Sequence, residues 1–220
     1  MDLTEQFDGY CERVDFTYWS EPVNAVTNAA FLIAAFIMWR RVRGESLPIA
    51  YILIGILTAI GIGSYLFHTH ATVWAVIMDV VPIGLFILTY LFAVGLHYLR
   101  WPWWGAGLLV LAFFPFAALV VPIMERLPFF NISNFYWTVP ILLFAFAPLV
   151  ARQNSATAQG MLIGAGILIV SITLRSIDEL ICEAVPLGSH FLWHILNGVM
   201  LGWMIEVYRR HMVGNRAVPS

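Results

Sequence analysis

Apolar residues in this chain fall into seven long runs, and polar residues collect in the gaps between them. The runs cover 22–39, 48–68, 73–96, 103–122, 135–151, 159–181 and 188–208. Each is close to the roughly 20 apolar residues that a helix needs to cross a bilayer. The gaps are short: Arg40 to Leu47, Thr69 to Thr72, His97 to Pro102, Ile123 to Asn134, Arg152 to Ala158 and Cys182 to Leu187. The pattern predicts an all-α fold, a polytopic seven-helix bundle in the membrane. Residues 1–220 read as one domain without linker or repeat, with 1–21 as a segment ahead of the first helix.

Charge sets the expected orientation. All basic residues are arginines, and the alternating gaps divide them unevenly. Arg40, Arg41, Arg43, Arg100, Arg152, Arg209, Arg210 and Arg216 fall on one side. Arg13 and Arg126 fall on the other, and Arg175 lies within the sixth run. The positive-inside rule then places the N-terminus outside and the C-terminus in the cytoplasm. Trp101, Trp103 and Trp104 suit an interfacial aromatic belt. The N-terminal stretch is acidic and lacks a basic region ahead of an apolar run, so the first run is expected to be retained rather than cleaved.

Composition agrees with this reading. Of 220 residues, 61% are hydrophobic and 11% charged, against about 25% charged in soluble domains. No basic surface suggests nucleic acid. Short loops point to a bacterial inner membrane, or to the endoplasmic reticulum or Golgi membrane for a eukaryotic chain.

The direction of each run gives depth to the polar residues inside it. His190 and His194 stand at i and i+4 at the start of the last run, so both rings project from one helix face. His68 ends the second run and Asp79 lies early in the third. All four fall at similar depth on the outer side. Ser64 precedes His68 by one turn on the same face. Three neutral imidazoles with an open fourth position suit zinc; nickel or copper also accept such ligands. Asp79 reads either as a base that moves a proton or as a carboxylate orienting a ligand histidine. Ser64 reads either as a donor to a developing oxyanion or as a hydroxyl bonded back to a helix carbonyl. His70 would face elsewhere.

Asp8, Glu12, Asp15 and Glu21 precede the first helix, with Asn24 and Asn28 continuing at helical spacing. They are oxygen donors of the kind calcium collects, although no EF-hand loop is present. They also read as a solvated acidic tail, or as a helix start with Ser20 as cap and Pro22 in the first turn. Cys11 and Cys182 both fall on the outer, oxidising side, where a disulfide is expected; two free thiols are the other reading. Arg175 and Asp178, at i and i+3, suggest an ion pair or hydrogen-bond network supporting the metal site. Glu206 is expected to snorkel to the cytoplasmic side.

Taken together, these residues resemble the alkaline ceramidase family, within the wider group of seven-helix proteins that includes the progestin and adiponectin receptors. Glu21-Pro22-Val23-Asn24 with Asn28 is similar to its opening element. Ser64-x-x-x-His68 with Asp79, Asp178-x-x-x-Cys182, and His190-Phe191-Leu192-Trp193-His194-Ile195-Leu196 follow its order and spacing. The resemblance implies zinc on His68, His190 and His194, Ser64 and Asp79 around a reacting amide, and calcium near Glu12 and Glu21. Arg13-Val14-Asp15 departs from the more polar stretch seen there. The expected activity is hydrolysis of a ceramide-like membrane lipid to a fatty acid and a long-chain base. The alternative is a receptor- or sensor-like protein with a structural zinc. A transporter is disfavoured, because no matched pair of broken half-helices occurs.

Overall fold

The computed structural model describes residues 2–7 and 9–216. It contains seven helices: α1 Pro22–Val42, α2 Pro48–His70, α3 Val73–Tyr98, α4 Trp103–Glu125, α5 Thr138–Ala151, α6 Ser155–Ile177 and α7 His190–Arg216. α1 is interrupted at Asn28, whose side-chain amide bonds the Asn24 carbonyl at 2.9 Å. α3 closes with a π turn at Val94–Tyr98. Five helices are long and apolar enough to cross a membrane; α5 is shorter, at 14 residues.

Local chemistry explains the ends. Proline stands in the first turn of α1 and of α2, where its missing N–H has no intrahelical partner to lose. α2 stops at Ala71, which adopts the left-handed conformation. α6 starts earlier than the apolar run suggested, because the Asn154 side chain accepts from the Thr157 amide at 2.9 Å. It also stops earlier: a short 3-10 turn, Glu179–Ile181, follows Asp178, so Cys182 lies beyond the helix.

Consecutive helices pack side by side, and α1 returns against α7, which closes a ring. α4 is the most peripheral member, with little of its surface covered. Outward positions stay apolar; Ile33, Phe36, Leu111, Leu119 and Val170 are all exposed. So broad an apolar surface calls for an environment other than water. The ring's interior holds a cavity reaching from Ser64 and Asp79 down to Tyr90 and Met204.

Two polar clusters occupy the ends of the bundle. At the C-terminal end of α7, Glu206 meets Arg41 at 3.0 Å, Arg209 at 2.9 Å and Arg210 at 2.7 Å. Glu206 is buried, so it does not snorkel: three guanidinium groups surround it. The opposite end carries the N-terminal segment and the candidate site. There the Phe7 amide bonds the Ala71 carbonyl and the Val73 amide bonds the Glu5 carbonyl. A Cys11–Cys182 disulfide ties the same segment to the loop before α7.

Candidate metal centre

His68 sits in the last turn of α2, while His190 and His194 occupy the first turns of α7. All three are buried, and one ring nitrogen from each lies within 4.8 Å of the others. His68 Nε2, His190 Nδ1 and His194 Nε2 have no hydrogen-bond partner. Buried polar atoms are normally satisfied, so three orphaned nitrogens turned to one point fit a metal ion.

Their neighbours fix the tautomers. Glu21 can only accept, so the bond at His68 Nδ1 carries the His68 proton and leaves a lone pair on Nε2. The Thr27 hydroxyl has one proton and contacts the Val23 carbonyl at 2.8 Å. With that proton given to Val23, it accepts from His194 Nδ1 at 3.0 Å, again leaving Nε2 free. The ring of Tyr10 stacks on His190 with centroids 3.6 Å apart. Burial pushes the Tyr10 phenol up, keeping it neutral.

The start of α7 is organised by Asp178. Its carboxylate accepts from the amides of Ser189 at 2.6 Å, His190 at 2.8 Å and Cys11 at 3.0 Å. A carboxylate at a helix N-terminus is favoured by the unpaired amides and the dipole. Gly188 makes room for it: φ is +65°, and a Cβ there would collide with Asp178. Of the two expected arrangements for Arg175 and Asp178, a hydrogen-bond network occurs rather than an ion pair between them. Arg175 turns instead to the Ile132 carbonyl at 3.0 Å, Ser133 at 2.9 Å and Tyr10 at 3.3 Å. Its guanidinium also lies over the Tyr136 and Trp193 rings.

Ser64 and Asp79 both line the apolar cavity, and the two side chains lie near each other. Gly63 permits this approach, because a Cβ there would collide with the Met78 carbonyl of α3. His70 is exposed and packs on Tyr18 and Trp74, away from the cluster.

The acidic segment is arranged differently from the expected cation site. Both Glu12 oxygens cap α1, accepting from the amides of Val23 at 2.7 Å and Asn24 at 2.8 Å. Ser20, expected as that cap, accepts from Val14 and Asp15 instead, each at 3.1 Å. Asp15 is exposed and accepts from Thr17, whose hydroxyl and amide hold its carboxyl below the usual range. Glu21 accepts from Arg13, Asn24 and His68. Burial opposes its charge, but the hydrogen bond from His68 and the Arg13 guanidinium outweigh it and hold its carboxyl below the ordinary value. Asp8 lies outside the described residues. Among the described residues, the histidine trio is the group of His, Cys, Asp or Glu side chains whose ligand atoms converge as a metal requires.

Tyr10, Arg13 and Thr27 were not singled out as site residues by their sequence positions. Arg13 registered only as an outer charge. A basic residue within an acidic stretch was the available signal, and Thr27 carried none. Compared with known proteins, residues 8–216 match the family model described as Ceramidase. No curated protein matches the chain.

Proposed function

Because the chain belongs to the ceramidase family, we propose that it is a zinc-dependent amide hydrolase acting on a ceramide-like lipid within the membrane. The observation that carries this reading is the trio of orphaned, buried imidazole nitrogens, with Ser64, one turn before His68, in the wall of an apolar cavity. His68, His190 and His194 would hold the ion, which would supply Lewis acidity toward a carbonyl and a water of lowered pKa.

The chain's own residues do the rest. The apolar walls of the ring receive an acyl chain and exclude bulk water. Ser64 turns its single proton to the carbonyl oxygen as negative charge develops there. Asp79 accepts a proton from the attacking water and delivers it to the leaving amine nitrogen. One C–N bond breaks and one C–O bond forms, giving a fatty acid and a long-chain base. Glu21 and Thr27 hold the rings of His68 and His194 through Nδ1.

The helices form a seven-span bundle with the N-terminus outside and the C-terminus cytoplasmic. The arginine asymmetry supports that orientation. On this topology, the disulfide and the metal centre share the outer side. The short loops favour a bacterial inner membrane, and a eukaryotic chain would occupy the endoplasmic reticulum or Golgi.

The test is metal content and fatty acid release from a long-chain ceramide, on detergent-purified wild type and His194→Ala. About one zinc per chain with turnover, both lost in the variant, is expected. Zinc without turnover on ceramide or other acyl amides points to a receptor-like protein instead. A folded wild type without zinc removes the basis of the reading.

A further inference from the structure

The acidic segment is expected to gather a divalent cation, and two of its oxygens, a Glu21 carboxylate oxygen and the Asp15 carbonyl, do meet a positive charge. That charge is Arg13. Its side chain is 1% exposed, as is that of Glu21. Nε bonds a Glu21 carboxylate oxygen, Nη1 bonds the Asp15 carbonyl at 3.0 Å, and Nη2 bonds the His68 carbonyl at 3.1 Å. One carboxylate and two carbonyls from separate segments are the kind of oxygens a hard cation collects. A planar guanidinium satisfies them with a rigid fork of donors.

We propose that Arg13 is a built-in cation which takes the place of calcium at Glu21 and positions His68, so that the centre needs no second metal. The inference rests on reading His68 as a zinc ligand. Among the described residues, neither of the acidic set's other carboxylates, Glu12 and Asp15, is free for calcium, and the unpartnered Oδ1 atoms of Asn24 and Asn28 are neutral amide oxygens that bring no charge to hold it. Glu12 spends both oxygens on backbone amides, and the Asp15 carboxylate turns outward to Thr17. A cation entering beside Glu21 would also face the Arg13 guanidinium.

The same contacts make Arg13 and Glu21 positioning residues. Arg13 fixes the backbone of His68 through its carbonyl, and Glu21 fixes the ring through Nδ1. A buried carboxylate left without its partner is strongly disfavoured. Arg13 therefore holds one Glu21 oxygen while the other meets His68 Nδ1. Partners of this kind commonly change metal affinity when removed.

The experiment uses the full chain in detergent. Zinc affinity is measured by competition with a chromogenic chelator, with and without millimolar calcium. Equilibrium dialysis with radioactive calcium is run separately. Wild type is expected to bind no calcium and to show the same zinc affinity in both buffers. Arg13→Ala should bind zinc about 10–100-fold more weakly. Arg13→Lys should recover part of the loss, because it keeps the charge without the fork. Glu21→Gln preserves shape and should also weaken zinc binding.

Stoichiometric calcium on wild type overturns the proposal, whether or not zinc is bound. Wild-type zinc affinity in a folded Arg13→Ala variant overturns the positioning role. If Arg13→Ala does not fold, wild-type zinc affinity in both Arg13→Lys and Glu21→Gln overturns it equally. Absence of zinc from wild type would instead count against the hydrolase reading, and the calcium dialysis would still decide the cation question.

Discussion

The Thr27 hydroxyl meets Nδ1 of His194, and Nε2 is left without a partner. Thr27 accepts from Nδ1 once its own proton is given to the Val23 carbonyl. Thr27→Val keeps the shape and removes the acceptor. It should lower zinc affinity about tenfold, measured by chelator competition, while α1 remains folded. At this scale the sequence was partly legible. Histidines at i and i+4 announce a shared face, and both rings join the cluster. The orienting partners, Thr27 for His194 and Glu21 for His68, come from other segments, so spacing along α7 and α2 says nothing about them. Arg175 shows the opposite case. Its i+3 neighbour Asp178 was available for an ion pair, but three backbone amides claimed that carboxylate. Orphaned amides at a helix start compete strongly for an acceptor.

Between elements, the closest constraint is the contact of α2 with α3. Gly63 packs directly against the Met78 carbonyl, one residue before Asp79. Gly63→Ala forces the two helices apart. Overpacking of this kind costs about 1–3 kcal/mol, and thermal unfolding in detergent should fall accordingly. Ser64 and Asp79 also move relative to each other. Fatty acid release should therefore drop at least about tenfold, the penalty expected for misplaced catalytic groups. Zinc content should stay near wild type, because His68 lies a full turn beyond. Retained turnover would show that the juxtaposition of Ser64 and Asp79 is dispensable. Helix existence and order followed from the apolar runs, whereas the boundaries of α6 shifted at both ends. Asn154 and Asp178 set them, through capping and through a turn that average hydropathy does not register.

Across the whole molecule, the N-terminal segment acts as a lid fastened at several points. Backbone bonds hold Glu5 and Phe7 to the start of α3 and the end of α2, and Cys11 is bonded to Cys182. Tyr10, Arg13 and Glu21 all reach the histidines from this segment. Cys11→Ser removes one fastening. Stability should fall by about 2–4 kcal/mol, read from thermal unfolding in detergent. Zinc affinity should fall with it, because the groups behind His68 and His190 lose their anchor. An unchanged zinc affinity would mean that the hydrogen bonds alone hold the segment in place.

The amino-acid sequence by itself determined that this chain is helical, that its helices are apolar, and that His190 and His194 share one helix face. Those properties are local or periodic: helix length against bilayer thickness, and ring direction against the helical repeat. It also brought Cys11 and Cys182 to one side, where they are joined. Only the tertiary structure decided what surrounds the histidines. Glu21 holds His68 from 47 residues away, and Thr27 holds His194 from 167. The same acidic stretch that resembled a calcium site became a helix cap and an arginine pair. A carboxylate bonds whichever donor the fold brings to it, and that choice depends on packing between segments far apart in the chain.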